Sequence, residues 1–129
     1  MPKTEPFEAH TDRYEEWFEE NEATYRSEIR ALDRFVDSDA FGLEIGVGSG
    51  RFADPLDIDV GIDPAPEMLM HARDRGIRVA QGVAEQLPIR TESFDVALMV
   101  TTICFVDDID ATLEEAARVL EPDGRLIQG

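Results

Sequence analysis

Hydrophobic residues near the N-terminus recur at the spacing of an amphipathic helix. Tyr14, Trp17 and Phe18 are three and four residues apart, and the apolar residues of the segment 29–36 repeat that spacing. Polar residues at positions 38 and 39 then interrupt the pattern. We therefore predict that the chain is mainly helical through residue 39.

Further along the chain, short apolar runs alternate with helical patterns. Strands are predicted at residues 40–45, 58–62, 77–80, 94–100 and 125–128. Helices are predicted at residues 66–75 and 110–120. Pro66 suits the first turn of the earlier helix, and Gly76 follows its last turn. The later helix is expected to bury one face, formed by Leu113, Ala116, Ala117 and Leu120.

The predicted strands are apolar on both faces, which indicates that other elements cover both faces of the sheet. We predict an α/β fold with a doubly wound, Rossmann-like parallel sheet in a three-layer α-β-α arrangement. Residues 1–39 are interpreted as an N-terminal helical lid and residues 40–129 as the Rossmann-like domain, within one compact unit. Ligands of such sheets bind beyond the carboxyl ends of the strands.

Charge and cysteine content narrow the range of functions. The chain has 29 acidic and 12 basic residues and a formal net charge of −17, which repels the phosphate backbone of nucleic acids. Lys3 is the only lysine, and this acidic, lysine-poor composition suggests adaptation to high salt. Cys104 is the only cysteine, so internal disulfides and cysteine-based zinc sites are excluded, and we predict no metal site. We expect neither a membrane span nor a signal peptide, and therefore a cytoplasmic protein without membrane contact.

Three glycines follow the first predicted strand. Gly46, Gly48 and Gly50 form a G-x-G-x-G pattern, which allows a tight turn and a close approach of bare backbone to a ligand. The dinucleotide fingerprint requires its third glycine one position later, where this chain has Arg51. A P-loop is also excluded, because no Gly-Lys-Ser/Thr follows. The loop is interpreted as a nucleotide-type cofactor site, and the alternative is a glycine turn that binds nothing.

Five short motifs occur in a fixed order along the chain. They are EIGVGSG at 44–50, VGIDP at 60–64, GVAEQLP at 82–88, SFDV at 93–96 and RVLEPDGRL at 118–126. Together they resemble the class I S-adenosylmethionine-dependent methyltransferases, in particular the small-molecule branch of the ubiquinone and menaquinone biosynthesis type (type 11). The resemblance extends from about Tyr14 to the last residue. It implies that S-adenosylmethionine is the cofactor.

The resemblance also implies roles for residues at the strand ends. The backbone of the glycine loop would lie against the methionine part of the cofactor, with Glu44 toward the amino group; the alternative for Glu44 is a partly buried acid. Asp63 would accept hydrogen bonds from both ribose hydroxyls through its two carboxylate oxygens. Thr101 and Thr102 stand where the family places residues against the methionine moiety and the reacting methyl group.

The adenine contacts implied by the resemblance are less complete. The backbone amide near Ala84 would meet the ring, and Met68 would either touch it or pack in the core. The family usually has aspartate at the position of Val83, on the adenine amino group, so either Glu85 replaces that contact or the contact is missing. The predicted cofactor-binding residues are Glu44, Gly46, Gly48, Gly50, Asp63, Pro64, Met68, Ala84, Glu85 and Thr101.

No acid–base set accompanies these motifs. Methyl transfer is an in-line displacement, for which the protein mainly aligns the reactants and excludes water. Tyr14 and His10 are the candidate catalytic residues: Tyr14 would close the site or simply pack, and His10 would act as a general base or lie on the surface. The predicted function is methyl transfer from S-adenosylmethionine to a small-molecule acceptor.

A competing hypothesis comes from the length of the sequence. It stops soon after the fifth predicted strand begins, whereas the family continues through two more strands. We therefore expect a sheet truncated after the fifth strand, either in a fragment or in a short variant whose exposed edge is covered in a homodimer. The competing function is an S-adenosylmethionine-binding domain without catalytic activity, acting as a sensor or as a partner subunit.

Overall fold

The computed structural model of the chain describes residues 11–129. Its helices within that range are α1 (Thr11–Glu20), α2 (Glu22–Asp33), α3 (Pro66–Asp74) and α4 (Ile109–Val119). Its strands are β1 (Gly42–Ile45), β2 (Val60–Asp63), β3 (Arg78–Gln81), β4 (Phe94–Met99) and β5 (Leu120–Gln128). A 3₁₀-helix at Thr102–Phe105 follows β4.

The five strands form one parallel sheet. Their order is β3-β2-β1-β4-β5, so β1 lies at the centre. The chain proceeds outward from β1 through β2 to β3, and then returns to the other side of β1 with β4. The strand order therefore reverses between β1 and β4, which is the topological switch point where ligands of open α/β sheets bind. The predicted doubly wound parallel sheet is confirmed.

Both faces of the sheet are covered by hydrophobic clusters. The alternation along β4 separates them: Val96 and Leu98 belong to one cluster, whereas Ala97 and Met99 belong to the other. The first cluster includes Phe18, Leu32, Phe52 and Leu69 from α1, α2, the segment after the glycine loop and α3. The second includes Ala116 and Val119 from α4. This burial on both faces explains why the strands are apolar throughout.

Strand β5 begins five positions before the predicted start at residue 125. Leu120 already pairs with Phe94, and regular pairing resumes at Arg125, which is opposite Val96. The pairing is irregular between these two points. The sequence between them, Glu-Pro-Asp-Gly, has the composition of a turn. Because these residues have the composition of a turn, the sequence did not predict the first part of this irregular strand.

Helix α4 buries a face rotated from the predicted one. Its buried residues are Thr112, Ala116 and Val119, whereas the side chain of Leu113 is 39% exposed. Ala117 is exposed as well, so the prediction that Leu113 and Ala117 share the buried face was wrong. The hydroxyl of Thr112 donates to the backbone oxygen of Asp108 at 2.9 Å, which satisfies this polar group inside the core.

The N-terminal helices end before the predicted limit. Helix α2 ends at Asp33, and turns connect it to β1. Another set of turns, at residues 51–57, connects the glycine loop to β2 without a helix. Between residues 11 and 129, no helix has both the length and the apolar character needed to cross a membrane.

Candidate functional site

A cavity of about 290 Å³ lies at the carboxyl ends of β1, β2 and β4. It is bordered by the glycine loop, by the segments that follow β2, β3 and β4, and by α1. The predicted site residues that line it are Tyr14, Gly46, Gly48, Asp63, Pro64, Met68, Ala84, Glu85 and Thr101. The structure therefore brings together, at the switch point, residues that are far apart in the sequence.

The three glycines of the loop have left-handed backbone conformations. Their φ angles are +77° at Gly46, +56° at Gly48 and +87° at Gly50, a region that favours glycine. A Cβ on Gly46 would lie 2.4 Å from Oγ1 of Thr102. Gly50 instead packs against α3 and Ile77, because a Cβ there would lie 3.3 Å from the Cα of Ala72 and 2.5 Å from Ile77 Cδ1. Gly46 and Gly48 thus shape the cavity wall, and Gly50 allows the loop to approach α3.

Asp63 is held at the end of β2 by two backbone groups. Its Oδ2 accepts from the N–H of Gly48 at 3.0 Å, and its Oδ1 accepts from the N–H of Ala65 at 2.9 Å. Each carboxylate oxygen can accept more than one hydrogen bond. The carboxylate is therefore fixed in orientation and can still accept hydrogen bonds from a ligand in the cavity.

Glu44 is buried behind the cavity wall. Only 1% of its surface is exposed, and its Oε1 has no hydrogen-bond partner within the described part of the chain. Burial raises the pKa of this carboxyl well above its ordinary value, and the nearby Asp63 raises it further, whereas a hydrogen bond from the Ala53 backbone opposes the shift. An unsatisfied buried carboxyl is costly, and Glu44 does not itself line the cavity.

Tyr14 covers the glycine loop from α1. Its hydroxyl oxygen lies 3.6 Å from the position of a Cβ on Gly48. Burial raises the pKa of the Tyr14 hydroxyl, and the carboxyl groups of Glu44, Asp63 and Glu15 raise it further. The hydroxyl therefore remains protonated at neutral pH and can donate a hydrogen bond. His10, the other candidate catalytic residue, lies outside the described residues.

A group of contacts that the sequence did not predict attaches α1 and α2 to Arg51, the residue that follows the glycine loop. Arg51 pairs with Glu15, with 2.5 Å between Nε and Oε2, and its guanidinium carbon lies 5.4 Å from the ring centroid of Phe18. Arg75 lies 3.5 Å from the same carboxylate. The Tyr25 hydroxyl donates to the backbone oxygen of Arg51. The only signal in the sequence was the arginine at the position where a dinucleotide loop has its third glycine.

The segment after β4 forms the opposite wall. Thr101 has a left-handed backbone conformation, with φ of +63°, which costs free energy for a residue other than glycine. The Thr102 hydroxyl donates to the backbone oxygen of Ile45 at 3.0 Å. This bond joins the 3₁₀-helix after β4 to the end of β1, where the glycine loop begins. Cys104, on the 3₁₀-helix, is exposed.

The residues after β3 contribute the third side of the cavity. Ala84 is buried, and so is Met68, which reaches the cavity from α3. Glu85 Oε2 accepts from the backbone N–H groups of Asp107 and Asp108, at 2.8 and 3.3 Å. Glu85 Oε1 is buried and has no hydrogen-bond partner between residues 11 and 129. Over the same range, no group of three or more His, Cys, Asp or Glu side chains has a geometry that would hold a metal ion.

Comparisons with known proteins agree with this geometry. Residues 43–128 match the family model described as "Methyltransferase domain". An uncharacterized protein of Methanocaldococcus jannaschii, MJ1123, is 44% identical over 95% of this chain and 60% of its own length. The ubiquinone biosynthesis O-methyltransferase of Azorhizobium caulinodans is 38% identical over 66% of this chain and 38% of its own length.

A solved structure gives the same result. A Thermotoga maritima protein described as an "SAM-dependent methyltransferase, possible histamine N-methyltransferase" superposes with a TM-score of 0.91 and 47% identity, over 96% of this chain and 60% of its own. The chain thus spans 60% or less of the length of these relatives. S-adenosylmethionine is the cofactor of the family that these matches identify. The chain belongs to the methyltransferase domain family, in the class I, type 11 branch of S-adenosylmethionine-dependent methyltransferases.

Proposed function

We propose that this chain binds S-adenosylmethionine in the cavity at the switch point and transfers its methyl group to a small-molecule acceptor. The observation that carries the proposal is the contact between Asp63 and Gly48, because it holds a carboxylate suited to ribose hydroxyls beside a left-handed glycine loop. The N–H groups of Gly46, Val47, Gly48 and Gly50 donate to groups of the protein itself, so the loop's contribution is the close approach of bare backbone that glycine allows. The family membership supports the same cofactor.

The residues around the cavity fit the parts of this cofactor. Asp63 suits the ribose hydroxyls, and the buried Glu44 carboxyl suits the positively charged amino end. Pro64, Met68 and Ala84 provide apolar surface for the adenine ring at the carboxyl ends of β2 and β3. These site residues are Glu44, Gly46, Gly48, Asp63, Pro64, Met68, Ala84, Glu85 and Thr101, with Gly50 supporting the loop from behind.

The chain's own contribution to the reaction is alignment. The cofactor supplies a methyl group already activated by a positively charged sulfur. Tyr14 and Thr102 hold the two walls beside the glycine loop and restrict the access of water. Orientation of this kind supplies about 7–11 kcal/mol in well-aligned reactions. Tyr14 serves as a hydrogen-bond donor and not as a base, because its hydroxyl keeps its proton at neutral pH.

The charge of the cavity restricts the acceptor. Its described lining has no lysine or arginine, whereas Glu28, Asp63 and Glu85 contribute carboxyl groups. Trp17, on the rim, is 45% exposed. A neutral or positively charged acceptor with an apolar part fits this surface, and an anion does not. The description of the Thermotoga relative as a possible amine methyltransferase is compatible with such an acceptor.

A second function remains a candidate because this chain spans 60% or less of its relatives. In that case the chain binds the cofactor but lacks methyltransferase activity, as a sensor or a partner subunit would. The sequence-based expectations of a homodimer and of a cytoplasmic location belong to either function.

Two measurements test the proposal. Calorimetry with S-adenosylhomocysteine, the demethylated product, measures binding independently of turnover. A screen with S-adenosylmethionine labelled in its methyl group then measures transfer to matched neutral, cationic and anionic acceptors. Binding with transfer to neutral or cationic acceptors supports the enzyme. Binding without transfer to any of them favours the cofactor-binding domain, and absence of binding contradicts both functions.

A further inference from the structure

The cavity wall formed by residues 82–89 has little support from the sheet. Hereafter this segment is called the adenine-side loop. It follows β3, and its own backbone pairing consists of an isolated bridge between Val83 and Gln86. Gly82 donates to the backbone oxygen of Asp63 at 3.2 Å. Since Gly82, Ala84 and Glu85 all line the cavity, the shape of the site depends on whatever else fixes this loop.

Two side chains of α4 fix the far end of the loop. Glu115 Oε1 accepts from the N–H of Leu87 at 2.8 Å. Arg118 donates through Nη2 to the backbone oxygen of Leu87 at 3.2 Å, and through Nη1 to that of Ile89 at 2.9 Å. Both hydrogen-bonding groups of the Leu87 backbone are therefore satisfied by α4 side chains. Neither side chain lines the cavity.

Arg118 uses its full set of donors in this contact. Besides Leu87 and Ile89, its guanidinium donates to Glu115 at 2.5 and 3.0 Å and to the Thr91 hydroxyl at 3.3 Å. An arginine side chain has five N–H donors in a rigid planar fork, and each one has an acceptor here. The hydrogen bond from Arg118 lowers the pKa of Glu115, which keeps the pair ionised. A lysine at this position could reproduce only part of the pattern.

The near end of the loop is attached to a different part of α4. Glu85 accepts from the backbone N–H groups of Asp107 and Asp108, and Asp108 is the residue that caps α4. Helix α4 therefore holds the adenine-side loop at two points, Glu85 and Leu87, on either side of Gln86. A loop tied at both points presents Ala84 to the cavity in one arrangement.

We infer that Glu115 and Arg118 are positioning residues that set the cofactor affinity of the site from outside the cavity, by holding the adenine-side loop in its binding arrangement. This inference rests on the proposed function, because it assumes that the loop contacts the adenosine half of the cofactor. The pair acts through the backbone of Leu87 and Ile89. Its effect is therefore on the adenosine half and not on the amino-acid half.

Two ligands distinguish binding of the adenosine half from binding of the amino-acid half. S-adenosylhomocysteine carries both, and 5′-methylthioadenosine carries only the adenosine half. Titration calorimetry is performed with wild-type protein, Arg118→Ala, Arg118→Lys, Glu115→Gln and the control Arg125→Ala, which removes an exposed arginine of β5. Circular dichroism and urea denaturation establish that each variant is folded at the temperature of the titration.

The expected result is a loss of about tenfold in affinity for both ligands in Arg118→Ala, corresponding to the loss of charge-assisted contacts. Arg118→Lys should recover part of the loss, and Arg125→Ala should bind as the wild type does. Hydrogen exchange at the Leu87 amide in ligand-free protein should accelerate in Arg118→Ala and Glu115→Gln. If Arg118→Ala does not fold, Glu115→Gln carries the test, because this nearly isosteric change removes the charge that holds the Arg118 guanidinium against Leu87 and Ile89.

Other results would overturn the inference. Wild-type affinity in a folded Arg118→Ala or Glu115→Gln would do so, and so would a loss confined to S-adenosylhomocysteine. An equal loss in Arg125→Ala would indicate a general effect of charge. If the wild type binds neither ligand, the proposed function fails. If the Leu87 amide nevertheless exchanges faster in Glu115→Gln than in the wild type, the structural role of the pair is retained.

Discussion

The Asp63 carboxylate accepts a hydrogen bond from the Gly48 backbone N–H at 3.0 Å, and this bond connects the carboxyl ends of the neighbouring strands β1 and β2. Asp63 ends β2, and Gly48 lies in the loop after β1. Removing the carboxylate would therefore affect both the proposed ribose-binding group and the position of the glycine loop. The remaining contacts of the site converge on the same two segments.

Gly46→Ala should abolish cofactor binding. The new Cβ would lie 2.4 Å from Thr102 Oγ1, so Thr102 must move and give up its bond to Ile45. The control is Gly76→Ala, because Gly76 also has a positive φ, of +89°, but has no atom within 4 Å of an added Cβ. We expect Gly76→Ala to lower the free energy of unfolding by about 1–2 kcal/mol through backbone strain alone and to retain binding. Calorimetry with S-adenosylhomocysteine and urea denaturation distinguish these effects, and full binding by Gly46→Ala would contradict the account of the loop.

Glu44→Gln should change stability and binding in opposite directions. The raised pKa of Glu44 means that the folded state releases this proton at a higher pH than the unfolded state does. Stability from the protonated carboxyl is therefore present below its ordinary pKa of 4.5 and is lost as the pH rises through the folded-state value. In ligand-free protein at neutral pH, Glu44→Gln should be more stable than the wild type, while its affinity for S-adenosylhomocysteine falls.

The pH dependence of urea denaturation measures the first effect, as the difference between wild type and Glu44→Gln from about pH 4 to about pH 8. This difference should grow as the pH rises. A difference that is constant with pH, or a variant that binds the ligand as tightly as the wild type, would contradict the assignment of Glu44.

Glu15→Gln should loosen α1 from the glycine loop. Burial alone would raise the pKa of Glu15, but the hydrogen bond from Arg51 and the charges of Arg51 and Arg75 lower it overall. Its stabilising contribution is therefore present above the ordinary value of 4.5 and is lost as the pH falls through the lowered folded-state value. Hydrogen exchange in α1 should increase in Glu15→Gln at neutral pH and in the wild type on acidification. Glu16→Gln, an exposed neighbour on α1, should leave exchange unchanged; equal effects of both variants would refute the proposed attachment.

The folded protein should become more stable as salt is added. A formal net charge of −17 on 129 residues produces repulsion that dissolved ions screen, with a Debye length of about 10 Å at 0.1 M and about 3 Å at 1 M. Urea midpoints measured across this range of potassium chloride concentrations should rise. A flat or falling midpoint would contradict the interpretation of the acidic surface as an adaptation to salt.

The sequence predicted the elements whose local signals agree with their packing. The strand that leads into the glycine loop and the helix that begins at Pro66 are examples, because an apolar run or a proline at the first turn depends on few distant contacts. The buried face of α4 was predicted incorrectly at Leu113. Helical spacing shows that one face is apolar, but which residues of that face are buried depends on where the sheet lies. The start of β5 was missed because its pairing with β4 is irregular where the sequence has turn residues.

The residues of the site divide in the same way. The glycine loop was interpreted as a cofactor site from residue types and spacing, and Asp63 was assigned from the resemblance to methyltransferases; the structure brings Asp63, Gly46 and Gly48 to one cavity. Glu15, Glu115 and Arg118 were not predicted as site residues, since their partners are backbone groups or side chains that only the tertiary fold brings near. Arg51 was noticed as a departure from the dinucleotide pattern, but its contact with α1 could not be deduced from a local motif.

Titration of the wild type, Asp63→Ala and the control Asp74→Ala with S-adenosylhomocysteine tests the central claim most directly. The account predicts one-to-one binding by the wild type, a loss of tenfold or more in Asp63→Ala, on the order of 1.4 kcal/mol or greater, and unchanged affinity in Asp74→Ala, which alters an exposed acid at the end of α3. Absence of binding by the wild type, or equal affinity in the wild type and Asp63→Ala, would contradict it.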